Sequence, residues 1–162
     1  MPLKRTLAVL AFTAVGFAQA PPAASTNIPY GTSITADAAK KIAAAAVAEA
    51  KKNNWEMAVA VVDTAGFLVY FERMPETQLG SVEVSIGKAK SAALFRRPTK
   101  VFQDAVAQGG MGLRMLKLEG AVPVEGGIPL IVGGKLVGAI GASGGTSEQD
   151  GRTAGAGAAA MK

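Results

Sequence analysis

Two apolar runs, Ile128 to Val132 and Leu136 to Ile140, flank a Gly133-Gly134 pair. This pattern predicts a β-hairpin with a tight turn and limits what the chain can fold into more than any other stretch. Pro129 near the start of the first run predicts an edge strand or a bulge, because proline cannot donate to a sheet ladder. Gly138 inside the second run, and Gly141 after it, predict a bulge or a close approach of other backbone or a ligand. Both open ends of the hairpin are also glycine-rich: Gly126-Gly127 enters and Ser143-Gly144-Gly145 leaves. Strands paired across Gly133-Gly134 bring those ends side by side. The result is either a floor of backbone N–H groups suited to a carboxylate or other anion, or a set of glycines that serve turns and close packing alone.

The rest of the chain supplies helices and one further strand pair. Thr35 is placed to cap a helix over Ala36 to Lys52, with Asp37 in its first turn and Lys51 and Lys52 near its end. Its alanine-rich face suits close packing on a sheet. Met57 to Val62 and Phe67 to Arg73 read as strands joined by the turn Asp63-Thr64-Ala65-Gly66. Ser81 is placed to cap a helix with Val82, Ile86, Ala89 and Ala93 as its buried stripe and Lys88 and Lys90 off it. A shorter helix is expected after Pro98, capped by Thr99 and ended by Gly109-Gly110. Met111 to Leu118 is ambiguous, Ala121 to Val124 is a candidate short strand, and Thr146 is placed to cap a last helix. Tight-turned strand pairs with helices set apart from them give an α+β domain in two or three layers.

The chain of 162 residues is long enough for one domain with a real core. Its first part reads as a targeting segment. Lys4 and Arg5 precede an apolar run from Leu7 to Phe17, and Gly16 and Ala18 suit a cut before Gln19. Residues 1–18 are therefore expected to be a signal peptide, 19–34 a flexible lead-in and 35–162 the folded domain, in the periplasm or secreted. The run is too short for a membrane span. Removing Lys4 and Arg5 from 17 basic residues leaves 15 against 12 acids, a formal +3. No basic stripe interleaved with aromatics points to nucleic acid.

The chain has no cysteine and no histidine. Ser-His-Asp and Cys-His catalysis and the usual zinc sites are excluded. Gly141-Ala142-Ser143-Gly144-Gly145 matches a nucleophile elbow only in letters, since that chemistry needs a histidine. The remaining polar candidates are Asp63, Arg73, Lys88, Glu125, Ser143 and Asp150. Asp63 suits a structural role in its turn, and Asp150 that of a first-turn partner of the last helix dipole. Arg73 and Lys88 are either cations for an anionic ligand at the glycine floor or solvated surface charges. The candidate ligand-binding set is Arg73, Lys88, Glu125, Gly126, Gly127, Ser143 and Gly144.

Val61-Val62-Asp63-Thr64-Ala65-Gly66, Lys88-Ala89-Lys90-Ser91-Ala92, Gly126-Gly127-Ile128-Pro129, Gly138 to Gly145 and Gln149-Asp150 follow in the order seen in the GlcG/HbpS-like family, which the chain after about Thr35 resembles. The resemblance implies a profilin-like fold with an antiparallel sheet of about five strands flanked by helices, and assembly into homo-oligomers. It implies a small-molecule ligand, with haem or a related tetrapyrrole leading, in uptake or redox sensing with a sensor or transport partner. Members that hold haem through histidine cannot be copied here; the remaining candidate iron ligands are Tyr30, Tyr70 and the methionines. The alternative is an enzyme or carrier acting on a small carboxylate such as a 2-hydroxy or 2-oxo acid. Self-assembly also follows from composition. Alanine-heavy helices bury little apolar area at about 25 cal/mol per Å², and no disulfide compensates.

Overall fold

The computed structural model describes residues 28–161. The expected signal peptide and its cut before Gln19 lie outside the described residues. The described chain forms a four-stranded antiparallel sheet with helices on both faces.

Helix α1, Ala36–Lys52, starts as the sequence predicts, with the Thr35 hydroxyl accepting from the Ala38 N–H at 3.3 Å. Ala39, Ile42, Ala43, Ala46, Val47 and Ala50 form its buried face. Strand β1, Ala58–Val62, is buried along its whole length, as a central strand covered on both faces must be. It turns into β2, Leu68–Arg73, through Asp63, whose carboxylate accepts from the N–H groups of Ala65 and Phe67 at 2.9 and 2.8 Å. Helix α2, Ser81–Phe95, follows, then α3, Lys100–Ala107, and a 3-10 helix, Gly110–Lys117, with no buried residue. The hairpin comprises β3, Gly127–Val132, and β4, Lys135–Ser143. Gly133 and Gly134 take φ of 56° and 75°, positive values of the kind its tight turn requires. Helix α4, Ser147–Ala159, opens on a capping box between Thr146 and Gln149, two orphan donors satisfied reciprocally.

The strand order is β2-β1-β4-β3, so the sheet has four strands where the resemblance implies about five. Ala121 to Val124 forms no strand. Pro123 has no N–H to give. The Val122 N–H goes to the Ser91 hydroxyl at 3.1 Å, and the N–H of Glu125 goes to the Gln103 side chain at 2.8 Å. Those backbone groups are committed to side chains rather than to a ladder. Pro129 sits on edge strand β3, as its missing donor demands. Pairing of β1 with β4 reaches only to Ala139. Beyond it Pro29 to Ile34 lies along β4, with the Leu136 N–H given to Pro29 O at 2.8 Å and the Gly31 N–H to Leu136 O at 2.7 Å.

Alternation along the strands divides the interior in two. Val59, Val61, Leu130, Ile140 and Ala142 face α1 and α4, while Ala60, Val62 and Ala139 face Ala89, Ala92 and Ala93 of α2. On α2, Ala89 and Ala93 are buried as the predicted stripe requires, but Val82 and Ile86 are only partly buried. The inward face instead carries Ser81, Ser85, Lys88, Ser91 and Ala92 beside them. Ser81 begins the helix instead of capping it; its hydroxyl is turned to Ser143 Oγ at 3.2 Å and takes a bond from the Gln78 amide at 3.0 Å. Thr99 holds its predicted N-cap position, but its hydroxyl accepts from the Gly127 N–H at 2.9 Å. Among the described residues no helix is long and apolar enough to cross a membrane.

Small residues set the spacing between α2 and the sheet. A Cβ on Gly141 would overlap Ser85 O and stand 2.6 Å from Ala89 N, so α2 lies directly on bare strand backbone. Gly141→Ala is therefore expected to lower the unfolding free energy by about 1–3 kcal/mol, the usual cost of overpacking. A urea titration checks this, and an unchanged midpoint would contradict the packing described.

Candidate functional site

Where the hairpin ends meet α2 and α4, an ion pair lies inside the protein. Lys88 is 1% exposed, and its Nζ donates to Asp150 Oδ2 at 2.6 Å and to Ala142 O at 3.3 Å. Asp150 stands in the first turn of α4, where the helix dipole favours a negative charge. Its other oxygen, Oδ1, accepts from the Gly145 N–H at 3.0 Å, and the Gly144 amide also favours the charged carboxylate. Burial pushes the Asp150 carboxyl above its ordinary value; the Lys88 ammonium and the two glycine amides oppose that shift, since each favours the charged form.

The glycine floor exists, and the carboxylate on it belongs to the protein. Ala142 N–H bonds Gly126 O at 2.9 Å, joining the two hairpin ends. Gly126 has φ 129°, and a Cβ there would stand 2.9 Å from Lys88 Nζ and 2.9 Å from Asp150 Cβ. A Cβ on Gly127 would overlap Lys88 O and come within 2.7 Å of the Thr99 methyl. Gly126 clears the space that the ion pair fills, and Gly127 lets the α2 backbone lie close beside it.

The structure gathers Lys88, Glu125, Gly126, Gly127, Ser143 and Gly144 at this end of the sheet and leaves Arg73 outside. Glu125 lays its carboxylate against Gly151 in α4, and Ser143 is buried against Ser81. Arg73 is exposed on edge strand β2, with Ala58 of β1 between it and Ser143. Lys88 belongs neither to a solvated surface nor to a cation pair with Arg73; its charge is spent on Asp150. The expectation that fails is its exposure. Ser85, Ala89, Ser91 and Ala92 are all small, and a lone lysine among small residues on one helix face can fold its stem inward. Asp150 is the partner that the candidate ligand-binding set lacks. Its place four residues after the Thr146 cap marks it for a first turn, but the sequence carries no sign that this turn sits against Lys88.

The candidate iron donors separate by environment. Met57 and Met74 are buried. Tyr70 is partly buried and bonds Glu72 at 3.2 Å. Burial first, then the Glu72 charge, push its phenol above the ordinary value, which disfavours the phenolate. Tyr30 and Met111 remain exposed. Among the described residues no group of three or more Asp or Glu side chains is placed to hold a metal ion.

A single antiparallel sheet between helical layers, closed at one end by glycines around an internal ion pair, defines a small α+β domain among the described residues. The chain belongs to the HbpS-like family: the family model described as "Haem degrading protein HbpS-like" matches residues 34–159. It is 38% identical to protein GlcG of Escherichia coli K12 over 105 residues, which cover 65% of this chain and 77% of GlcG. It matches the structure of a double mutant of HbpS from Streptomyces reticuli with TM-score 0.75 and 31% identity, covering 90% of this chain and 99% of that one. It also matches the crystal structure of a PduOC–heme complex with TM-score 0.73 and 30% identity, covering 81% of this chain and 96% of that one.

The ion pair yields a stability prediction. Removing one member of a buried pair strands the other charge and costs about 3–5 kcal/mol. Lys88→Met alone is expected to lose that much, and Lys88→Met combined with Asp150→Asn to lose distinctly less. Urea unfolding of wild type, single and double variants checks this; a single variant within about 1 kcal/mol of wild type would contradict the pairing.

Proposed function

We propose that this chain is an exported haem-binding protein that holds the tetrapyrrole at its surface or at a subunit boundary. The observation that carries the reading is the match to the PduOC–heme complex across nearly the whole of that chain, within a family whose description names haem. Two spaces among the described residues do not suit an enclosed tetrapyrrole. A cavity of about 250 Å³ is lined by Thr35, Lys41, Ile42 and Met161. It is smaller than the clefts that enclose most of a drug-sized ligand. At the glycine floor, Lys88 and Asp150 already fill the space. A small-carboxylate site at that floor would have to displace Asp150 from the same amides and the same ammonium.

Haem bound here would be held without histidine, by an oxygen or thioether donor from an exposed residue. Export is supported by the charged, apolar and small-residue order of residues 1–18, the layout of a secretory signal. Self-assembly is supported by the exposed Met111, Leu113 and Leu116 of the 3-10 helix, which offer apolar area for a second copy. Such a protein would pass haem to an uptake system or report it to a redox-sensing partner.

Titrating the mature chain from Gln19 with haemin is expected to give a saturable shift of the Soret band. A flat titration under conditions where a known haem binder responds would contradict the reading. The bound Soret band is expected to persist under ascorbate in air; its loss with release of iron would make the chain a haem-degrading protein instead.

A further inference from the structure

Away from the ion pair, one exposed patch combines an oxygen donor, fixed cations and apolar side chains. Tyr30 is 49% exposed, and its hydroxyl makes one long bond, 3.4 Å, to Leu94 O at the end of α2. Arg96 caps that helix in the left-handed region, φ 53°, a conformation few non-glycine residues adopt. From there its guanidinium donates to Ile28 O at 2.9 Å and stands 5.2 Å from the centroid of the Tyr30 ring. The cation and the aromatic ring are thus tied to each other and to the helix end.

The apolar part adjoins them. Leu94 is exposed, and its side chain reaches within 3.6 Å of where a Cβ on Gly66 would lie; the stem of exposed Lys90 comes within 3.0 Å of the same point. Phe67, the next residue, is 72% exposed, and the Asp63 carboxylate fixes its backbone by accepting its N–H. A phenylalanine held outward by its turn contributes nothing to the core that forms the fold.

We propose that Tyr30 is the iron-ligating residue of this protein, in a site where Leu94 and Phe67 contact the ring of a ferric tetrapyrrole and Arg96 and Lys90 take its carboxylates. The assignment rests on the haem reading above and locates it. Tyr30 Oη would give up its hydrogen bond to Leu94 O, lose its proton to solvent and bond the ferric iron, with no change in oxidation state. Tyrosine serves as a haem ligand in other proteins. Arginine keeps its charge at every relevant pH, so Arg96 offsets the negative charge that the ligand and the phenolate bring. Tyr70 gives its hydroxyl proton to the Glu72 carboxylate at 3.2 Å, which sets a negative charge beside any phenolate there, and Met57 and Met74 are enclosed in the core.

The test uses the mature chain with two probes, haemin and iron-free protoporphyrin IX. Tyr30→Phe deletes an oxygen with one weak contact, so its thermal midpoint is expected to match wild type. It is expected to abolish the phenolate-to-iron charge-transfer band and weaken haemin binding at least tenfold, while protoporphyrin binding stays within about twofold. Lys90→Gln is expected to weaken both probes, and Met111→Leu to leave the haemin spectrum as in wild type. A Tyr30→Phe protein with wild-type haemin spectrum and affinity would overturn the site while leaving haem binding intact. A wild-type chain that binds no haemin would overturn the haem reading itself, and this assignment with it.

Discussion

The ion pair between Lys88 and Asp150 is what the arrangement at one end of the molecule depends on. Two charges taken out of water must be compensated by geometry and hydrogen bonds, or the fold does not tolerate them. Compensation here comes from three parts of the chain. Helix α2 supplies the ammonium, the first turn of α4 supplies the carboxylate, and the hairpin end supplies Ala142 O and the Gly145 N–H. The pair is therefore also a statement of where α2, β4 and α4 must lie. Gly126 follows from it, because a side chain there would stand against the Lys88 ammonium and Asp150, while Gly127 lets the α2 backbone at Lys88 O and the Thr99 methyl come close to the strand.

This accounts for why the site is only half legible in the sequence. The hairpin, its two positive-φ glycines, the Thr35 and Thr146 caps and the α+β class all rest on local rules, and local rules can be read from one sequence. The glycine clusters are legible as a place of close approach. What approaches is not, because the contact between Lys88 and Asp150 spans 62 positions and no spacing rule encodes it. The Lys88 charge also suggests a surface that its neighbours Ser85, Ala89 and Ala92 contradict. The missing strand fails for a related reason: Ala121 to Val124 has strand-like residues, but Ser91 and Gln103 from distant helices take the neighbouring N–H groups.

Separating scaffold from binding surface changes how the family membership applies to this chain. The backbone amides and cation that a ligand carboxylate would seek at the hairpin end already serve Asp150. Exposed side chains lie elsewhere, at Tyr30, Leu94 and Phe67 by the C-terminal end of α2 and the adjoining turn, beside the Arg96 guanidinium. A domain with a glycine-packed, internally neutralised core can present a ligand site on its outside without loosening that core.

The measurement that bears most directly on this division is the side-chain NMR signal of the Lys88 ammonium, recorded with nitrogen-15 before and after haemin is added. An ammonium sealed against Asp150 is expected to give slowly exchanging protons and a signal that haemin leaves in place. Fast exchange with water, or a Lys88 signal that moves as haemin binds, would contradict the account and make the ion pair part of the binding site.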